Sequence, residues 1–169
     1  MKVLTLTQPW ATLVAIGAKH IETRSWPTKY RGPLAIHAAQ GLGPVGGMRG
    51  FVELIGAPLF QRSLAPDAKG GGFWETVKDR AAVLPRGAIL AVCELETCIP
   101  TLWLTATGRT TVSTRSGPAE YVLTDQERAF GDYTPGRYAW LLSNVRALPE
   151  PIPAKGALGL WNWDETIEV

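Results

Sequence analysis

Lys19, Glu22, Arg24 and Trp26 fall within eight residues, in the run Lys19-His20-Ile21-Glu22-Thr23-Arg24-Ser25-Trp26. An ammonium, a carboxylate, a guanidinium and an indole this close together could do several kinds of chemistry. A carboxylate can act as general base on water, or accept hydrogen bonds from an exocyclic amine such as that of cytosine. A lysine can polarise a carbonyl or stabilise an oxyanion. A guanidinium forks onto phosphate or a carbonyl, and an indole offers a flat face on which a base stacks. From Gly17 to Arg49 the chain also carries Lys29, Arg31 and Arg49, while Glu22 is the single acid. This local excess stands inside a chain whose formal net charge is only +2. The competing account is structural: Glu22 and Arg24 neutralise each other, and Trp26 closes the edge of a core.

For these side chains to meet, residues 20–26 must be extended. Pro27 disfavours helix at Trp26. Strand alternation then puts Glu22, Arg24 and Trp26 on one face and Ile21 and Thr23 on the other. Lys19 reaches the same pocket from just past a short helix. That helix opens at Gln8-Pro9-Trp10, with Pro9 at its first position. It repeats Trp10, Leu13 and Val14 at helical spacing and stops at Gly17. Gln8 and Trp10, at its start, are candidates to line the pocket. A strand over 34–39 turns Leu34 and Ile36 to one face and His37 to the other, so His37 joins from a neighbouring strand. If the pocket is functional, Lys19→Ala or Glu22→Ala is expected to abolish activity while leaving thermal melting nearly unchanged.

The remaining elements follow from local patterning. A first strand covers Val3 to Thr7, and residues 40–47 form a Gly-rich loop. Helices are expected over 48–61, limited by Pro58, and over 73–82. Ala88 to Ile99 reads as a strong strand. Residues 105–118 are polar and small, and read as a long mobile loop. One or two helical turns fit 124–130, and strands fit 138–145 and 156–163. Trp161 and Trp163 alternate on one face and read as core or barrel closure. Strands outnumber the short helices, at irregular spacing. The expected fold is α+β, a small mixed β-barrel with short flanking helices, in one domain over 1–169 with its core at about 3–163.

Composition narrows the function classes. The chain has 169 residues, 46% hydrophobic and 19% charged, with mean hydropathy +0.02. That is enough apolar side chain for a core and too little charge for a disordered tail. Gly and Pro make about 18% of the chain, against roughly 12% on average, so turns are many and long helical bundles are disfavoured. No apolar run approaches the roughly 18 residues of a membrane-spanning helix. The opening residues do not read as a secretion signal, and a cytoplasmic location is the expectation. Cys93 and Cys98 lie an odd number of residues apart on one strand, hence on opposite faces, and read as reduced residues rather than a bridge or a metal site. His20 and His37 are the only histidines and lack metal-ligand spacing; neither metal nor cofactor is expected. Gly41-x-Gly43-x-x-Gly46 matches a dinucleotide fingerprint formally. It lacks a clear crossover helix and the acidic residue about 20 positions on.

The assembled motifs resemble a family. Gln8-Pro9-Trp10-Ala11, then Gly17-x-Lys19-x-x-Glu22-x-Arg24-x-Trp26, then Tyr30-Arg31-Gly32-Pro33-Leu34-x-Ile36-His37-Ala38 look like the ASCH domain (activating signal cointegrator homology), a relative of the PUA RNA-binding barrel. Gly136-Arg137-Tyr138-Ala139-Trp140 and Pro153-x-Lys155-Gly156-x-x-Gly159-Leu160-Trp161 look like the same group. The resemblance implies a small barrel with a cleft beside the first helix, facing RNA or a nucleotide. It implies Gln8, Trp10, Lys19, Glu22, Arg24, Trp26, Lys29, Arg31 and His37 as ligand-binding candidates, with Lys19 and Glu22 catalytic if the protein is an enzyme. One branch of the family hydrolyses N4-acetylcytidine, and another is described as a ribonuclease. In the amidohydrolase branch a Thr nucleophile follows the Lys by three residues; here that position is Glu22, and Thr23 points to the other face. That branch's catalytic Glu lies outside the motif, with Glu120 and Glu127 as candidates here. Binding of RNA or a nucleotide is the leading reading, with a hydrolase and a protein-interaction module as alternatives.

Overall fold

Apolar residues set the strands, and glycines and prolines punctuate them. The computed structural model describes residues 1–43, 45–64, 84–114, 117–165 and 167. Its elements are β1 (Lys2–Leu6), α1 (Trp10–Ala15), β2 (Ile21–Arg24), β3 (Gly32–Ala38), α2 (Gly47–Gly56), α3 (Pro58–Leu64), β4 (Ala88–Pro100), α4 (Thr101–Thr107), β5 (Arg109–Thr114), β6 (Gly117–Val122), α5 (Asp125–Ala129), β7 (Tyr138–Pro153) and β8 (Leu160–Asn162). Six strands form one sheet in the order β2-β7-β4-β3-β1-β8, curled into a half-barrel. β1 and β3 are parallel, and the other neighbours run antiparallel. The α+β expectation with short helices holds.

α1 is the wedge that positions the candidate site. Its Ala11 and Val14 pack into the sheet cluster of Leu4, Leu34, Ile36, Trp140 and Leu142. Its Leu13 faces the other way, into a cluster with Phe51 and Ile55 of α2 and Phe60 of α3. A helix gripped on both faces cannot roll, which fixes Trp10 at its start. At its end Gly17 takes φ +72°, a conformation glycine adopts without a Cβ penalty. Ala18 N and Lys19 N both donate to Leu13 O, at 2.9 and 3.0 Å. This tight cap delivers Lys19 directly to the start of β2.

Several expectations change. The described residues of 105–118, expected as one loop, carry regular structure: α4 covers the first part, and β5 and β6 pair antiparallel as a two-stranded sheet. Thr and Val at alternate positions suit a strand as well as a loop, and polarity misled because this sheet is largely solvent-facing. The helix expected over 48–61 is two helices. Ala57, ahead of Pro58, is extended at φ −62° and ψ 143°, as a residue before proline prefers. The strand beginning at Tyr138 runs on to Pro153, and the last strand is only Leu160–Asn162. The helix expected over 73–82 lies outside the described residues. Cys93 and Cys98 do not diverge: Cys98 packs against the same cluster as Cys93. The β4–β7 register shifts between Leu95 and Thr97, and one extra residue in a strand reverses the alternation beyond it. Both thiols are free, and burial pushes the Cys93 thiol up to about 12.

Candidate functional site

β2 lies at the edge of the sheet, paired with β7 through Glu22 opposite Trp140 and Arg24 opposite Tyr138. An exposed edge of unpaired carbonyls invites other strands. Here cations cover it. Lys19 Nζ donates to Ile21 O and, at 2.9 Å, to Phe130 O. Arg137 donates to Thr23 O at 3.3 Å, and Asp132 N donates to Thr23 Oγ1 at 2.9 Å. The chain after α5 thus runs along the outer edge of β2.

The charged side chains form a row. Lys19 is completely buried, with its Nζ 3.5 Å from Glu22 Oε2. Glu22 is 7% exposed, and its Oε1 lies 3.2 Å from Arg24 Nε. Arg24 keeps about a quarter of its side chain in solvent and donates to Thr5 O at 2.6 Å. Its Nε is buried with no hydrogen bond of its own. The ammonium has three N–H groups and three directions in which to spend them, two carbonyls and one carboxylate. Lys19 therefore stands behind Glu22, and Glu22 and Arg24 face the opening.

That opening is a hollow of about 620 Å³ lined by Trp10, Glu22, Arg24 and Trp26, together with Thr5 and Leu158. The volume lies within the usual range for a small-ligand site, roughly 300–1,000 Å³. A smaller hollow of about 370 Å³ shares Trp10 and Glu22 and continues to Phe130, Asp132 and Arg137. The two indoles differ. Trp26 meets Trp140 edge to face at 4.7 Å and packs on the sheet cluster. Trp10 is half-buried and lies outside the apolar clusters of the described residues.

The other sequence candidates sit elsewhere. Gln8 is fully buried, donates to Pro85 O at 2.5 Å and accepts from Thr12 N at 3.2 Å. It braces α1 and does not line the hollow. Lys29 and Arg31 are exposed and also outside its lining. Arg31 donates to Thr28 O, Tyr30 O and Thr97 Oγ1. His37 is 1% exposed and lines an adjoining hollow of about 690 Å³. Its Nε2 donates to Ala154 O at 3.0 Å, because a carbonyl can only accept. Burial lowers its pKa.

α5 contributes Gln126, which sequence reasoning left without a role, and Glu127, which it considered only as a catalytic candidate. Gln126 donates to Ala18 O at 2.7 Å, and Glu127 Oε1 accepts from His20 N at 2.6 Å. With Phe130 O on its ammonium, Lys19 is gripped from both chain neighbours and from its tip. Thr124-x-x-Glu127 has the spacing of a capping box, and Thr124 does accept from Glu127 N at 3.1 Å. The carboxylate does not return the bond in the usual way; it reaches across to His20. Glu120, the other carboxylate candidate, pairs with exposed Arg109 on the two-stranded sheet at 3.3 Å.

Burial is the main cause that raises the Glu127 pKa, opposed by Lys19 and by the His20 N–H. A carboxyl whose pKa rises on folding binds its proton more tightly in the native state. Its contribution to stability is full at low pH and is lost as pH climbs through the folded value. Glu127→Gln keeps an acceptor for His20 and removes the titration. Urea denaturation of both proteins should show wild type gaining on the variant as pH falls towards the ordinary carboxylate range. A stability difference flat in pH would contradict the assignment.

Among the described residues, no grouping of His, Cys, Asp and Glu could hold a metal ion. No described helix is long and apolar enough to cross a membrane. The sequence matches the family model described as ASCH domain over residues 4–151. No curated protein sequence matches it.

Proposed function

Because the chain belongs to the ASCH domain family, we propose that it binds RNA or a nucleotide by taking a nucleobase into the hollow between Trp10 and Trp26. In this reading it is of the Gln-Pro-Trp, Gly-x-Lys-x-x-Glu-x-Arg type, akin to the PUA barrel. The observation that carries it is Glu22: a nearly buried carboxylate with a cation at each oxygen, on the wall of an open hollow beside an indole outside the core clusters. Each carboxylate oxygen has a further lone pair, which an exocyclic amine of a base can fill. Trp10 supplies the stacking face. Arg24, with about a quarter of its side chain in solvent on the wall of the hollow, addresses a base carbonyl or a phosphate. Lys29 and Arg31 are surface cations for flanking phosphates. An unstacked or single-stranded base suits such a hollow, since a paired base could not enter it.

The hydrolytic alternative asks Lys19 to touch an oxyanion. Its burial and its three protein partners oppose that role. Fluorescence anisotropy with a short single-stranded RNA tests the binding reading. With about three phosphate contacts, affinity should fall roughly 20-fold between 50 and 200 mM salt. Absence of saturable binding, or binding indifferent to salt, would end it. Incubation with N4-acetylcytidine should release no cytidine; release would favour the hydrolase.

A further inference from the structure

We propose that the ligand is a strand of at least two nucleotides rather than a free nucleoside, with Leu158 as a wedge between two adjacent base sites. This rests on the binding reading above and extends it. The hollow of Glu22 and the hollow of His37 share Thr5, Ala39, Ala157 and Leu158 in their linings, so they form one groove with a divider. Leu158 stands at that divider and is 99% exposed. No other large hydrophobic side chain among the described residues is so open to water.

The loop that carries it is fixed at both ends. On the N-terminal side, Ala154 N donates to Gly87 O at 2.9 Å, and Ala154 O accepts from His37. Gly156 lies flat on the imidazole; a Cβ there would come within 2.5 Å of His37 Cε1. On the C-terminal side, Trp161 donates to Thr5 Oγ1 at 3.0 Å, and β8 is hydrogen-bonded to β1. An apolar side chain held in water on an anchored loop is a costly arrangement unless something covers it. Proteins that read nucleic acid insert such wedges between neighbouring bases.

The two hollows also carry matched chemistry. The first offers a carboxylate acceptor and the Arg24 cation. The second offers the Lys155 cation and the Gln40 amide, whose oxygen can accept from a base. An acceptor for a base and a cation for a phosphate recur on each side of Leu158, as two consecutive nucleotides require.

Calorimetric titration with cytidine monophosphate and with a series of two- and three-nucleotide RNAs tests this. The dinucleotide should bind about tenfold or more tightly than the mononucleotide. Leu158→Ser should cancel that gain, weakening the dinucleotide about tenfold more than it weakens the mononucleotide. Equal affinities for one and two nucleotides, or a variant that weakens both alike, would overturn the two-site inference while leaving the Glu22 hollow intact. Failure of every ligand to bind would overturn both readings together.

Discussion

Replacing Lys19 by Met lowers the free energy of unfolding by about 3–5 kcal/mol, the usual cost of breaking a buried ion pair from one side. The side chain is wholly buried, and its ammonium serves Ile21 O, Phe130 O and the Glu22 carboxylate. Methionine fills most of the volume but leaves two carbonyls and one carboxylate oxygen without a donor. Each unmet buried group carries its own desolvation cost, about 1–3 kcal/mol. The sequence-based expectation that Lys19 variants melt like wild type is therefore replaced by its opposite. Arg24→Met is the control. That residue is partly in solvent, so its pair is screened and its loss should cost markedly less. Chemical denaturation measures both, and a Lys19→Met loss below about 1 kcal/mol would contradict the edge-capping role.

Trp10→Ala should weaken binding of single-stranded RNA by roughly 5- to 150-fold, the equivalent of about 1–3 kcal/mol for one stacked base. The argument rests on what Trp10 does not do. It is half-buried, lies outside the apolar clusters, and borders both the 620 Å³ and the 370 Å³ hollows. Trp26→Ala is a less clean experiment, because Trp26 packs against Trp140 and its removal opens a cavity as well. Anisotropy titrations give the affinities and thermal melting separates the two variants. Trp10→Ala with unchanged RNA affinity would remove the stacking face from the account.

Where the sequence spoke through local rules, it was readable. Pro27 and the alternation Glu22, Arg24 placed the key strand, and Gly17 ended the helix before it. Glu22, Arg24 and Trp26 do line one hollow. Other features depend on distant partners and leave no local trace. Whether Lys19 faces water or carbonyls is decided by Phe130, 111 residues later. Gln8 looked like a ligand residue from its position, yet Pro85 claims its amide. Glu127 carries a legible capping pattern, but tertiary contact diverts its carboxylate to His20. The Cys93–Cys98 geometry failed at a bulge, which strand alternation alone does not anticipate. The two-stranded sheet of β5 and β6 was hidden by its polarity, since a strand with little to bury has no apolar signature.

The most direct test of the central claim is a crystal structure of the protein with a short single-stranded RNA. The account predicts one base lying against Trp10, with its amine within hydrogen-bond distance of the Glu22 carboxylate and Arg24 turned to the same nucleotide. RNA seated elsewhere on the surface, with that hollow holding only solvent, would contradict it.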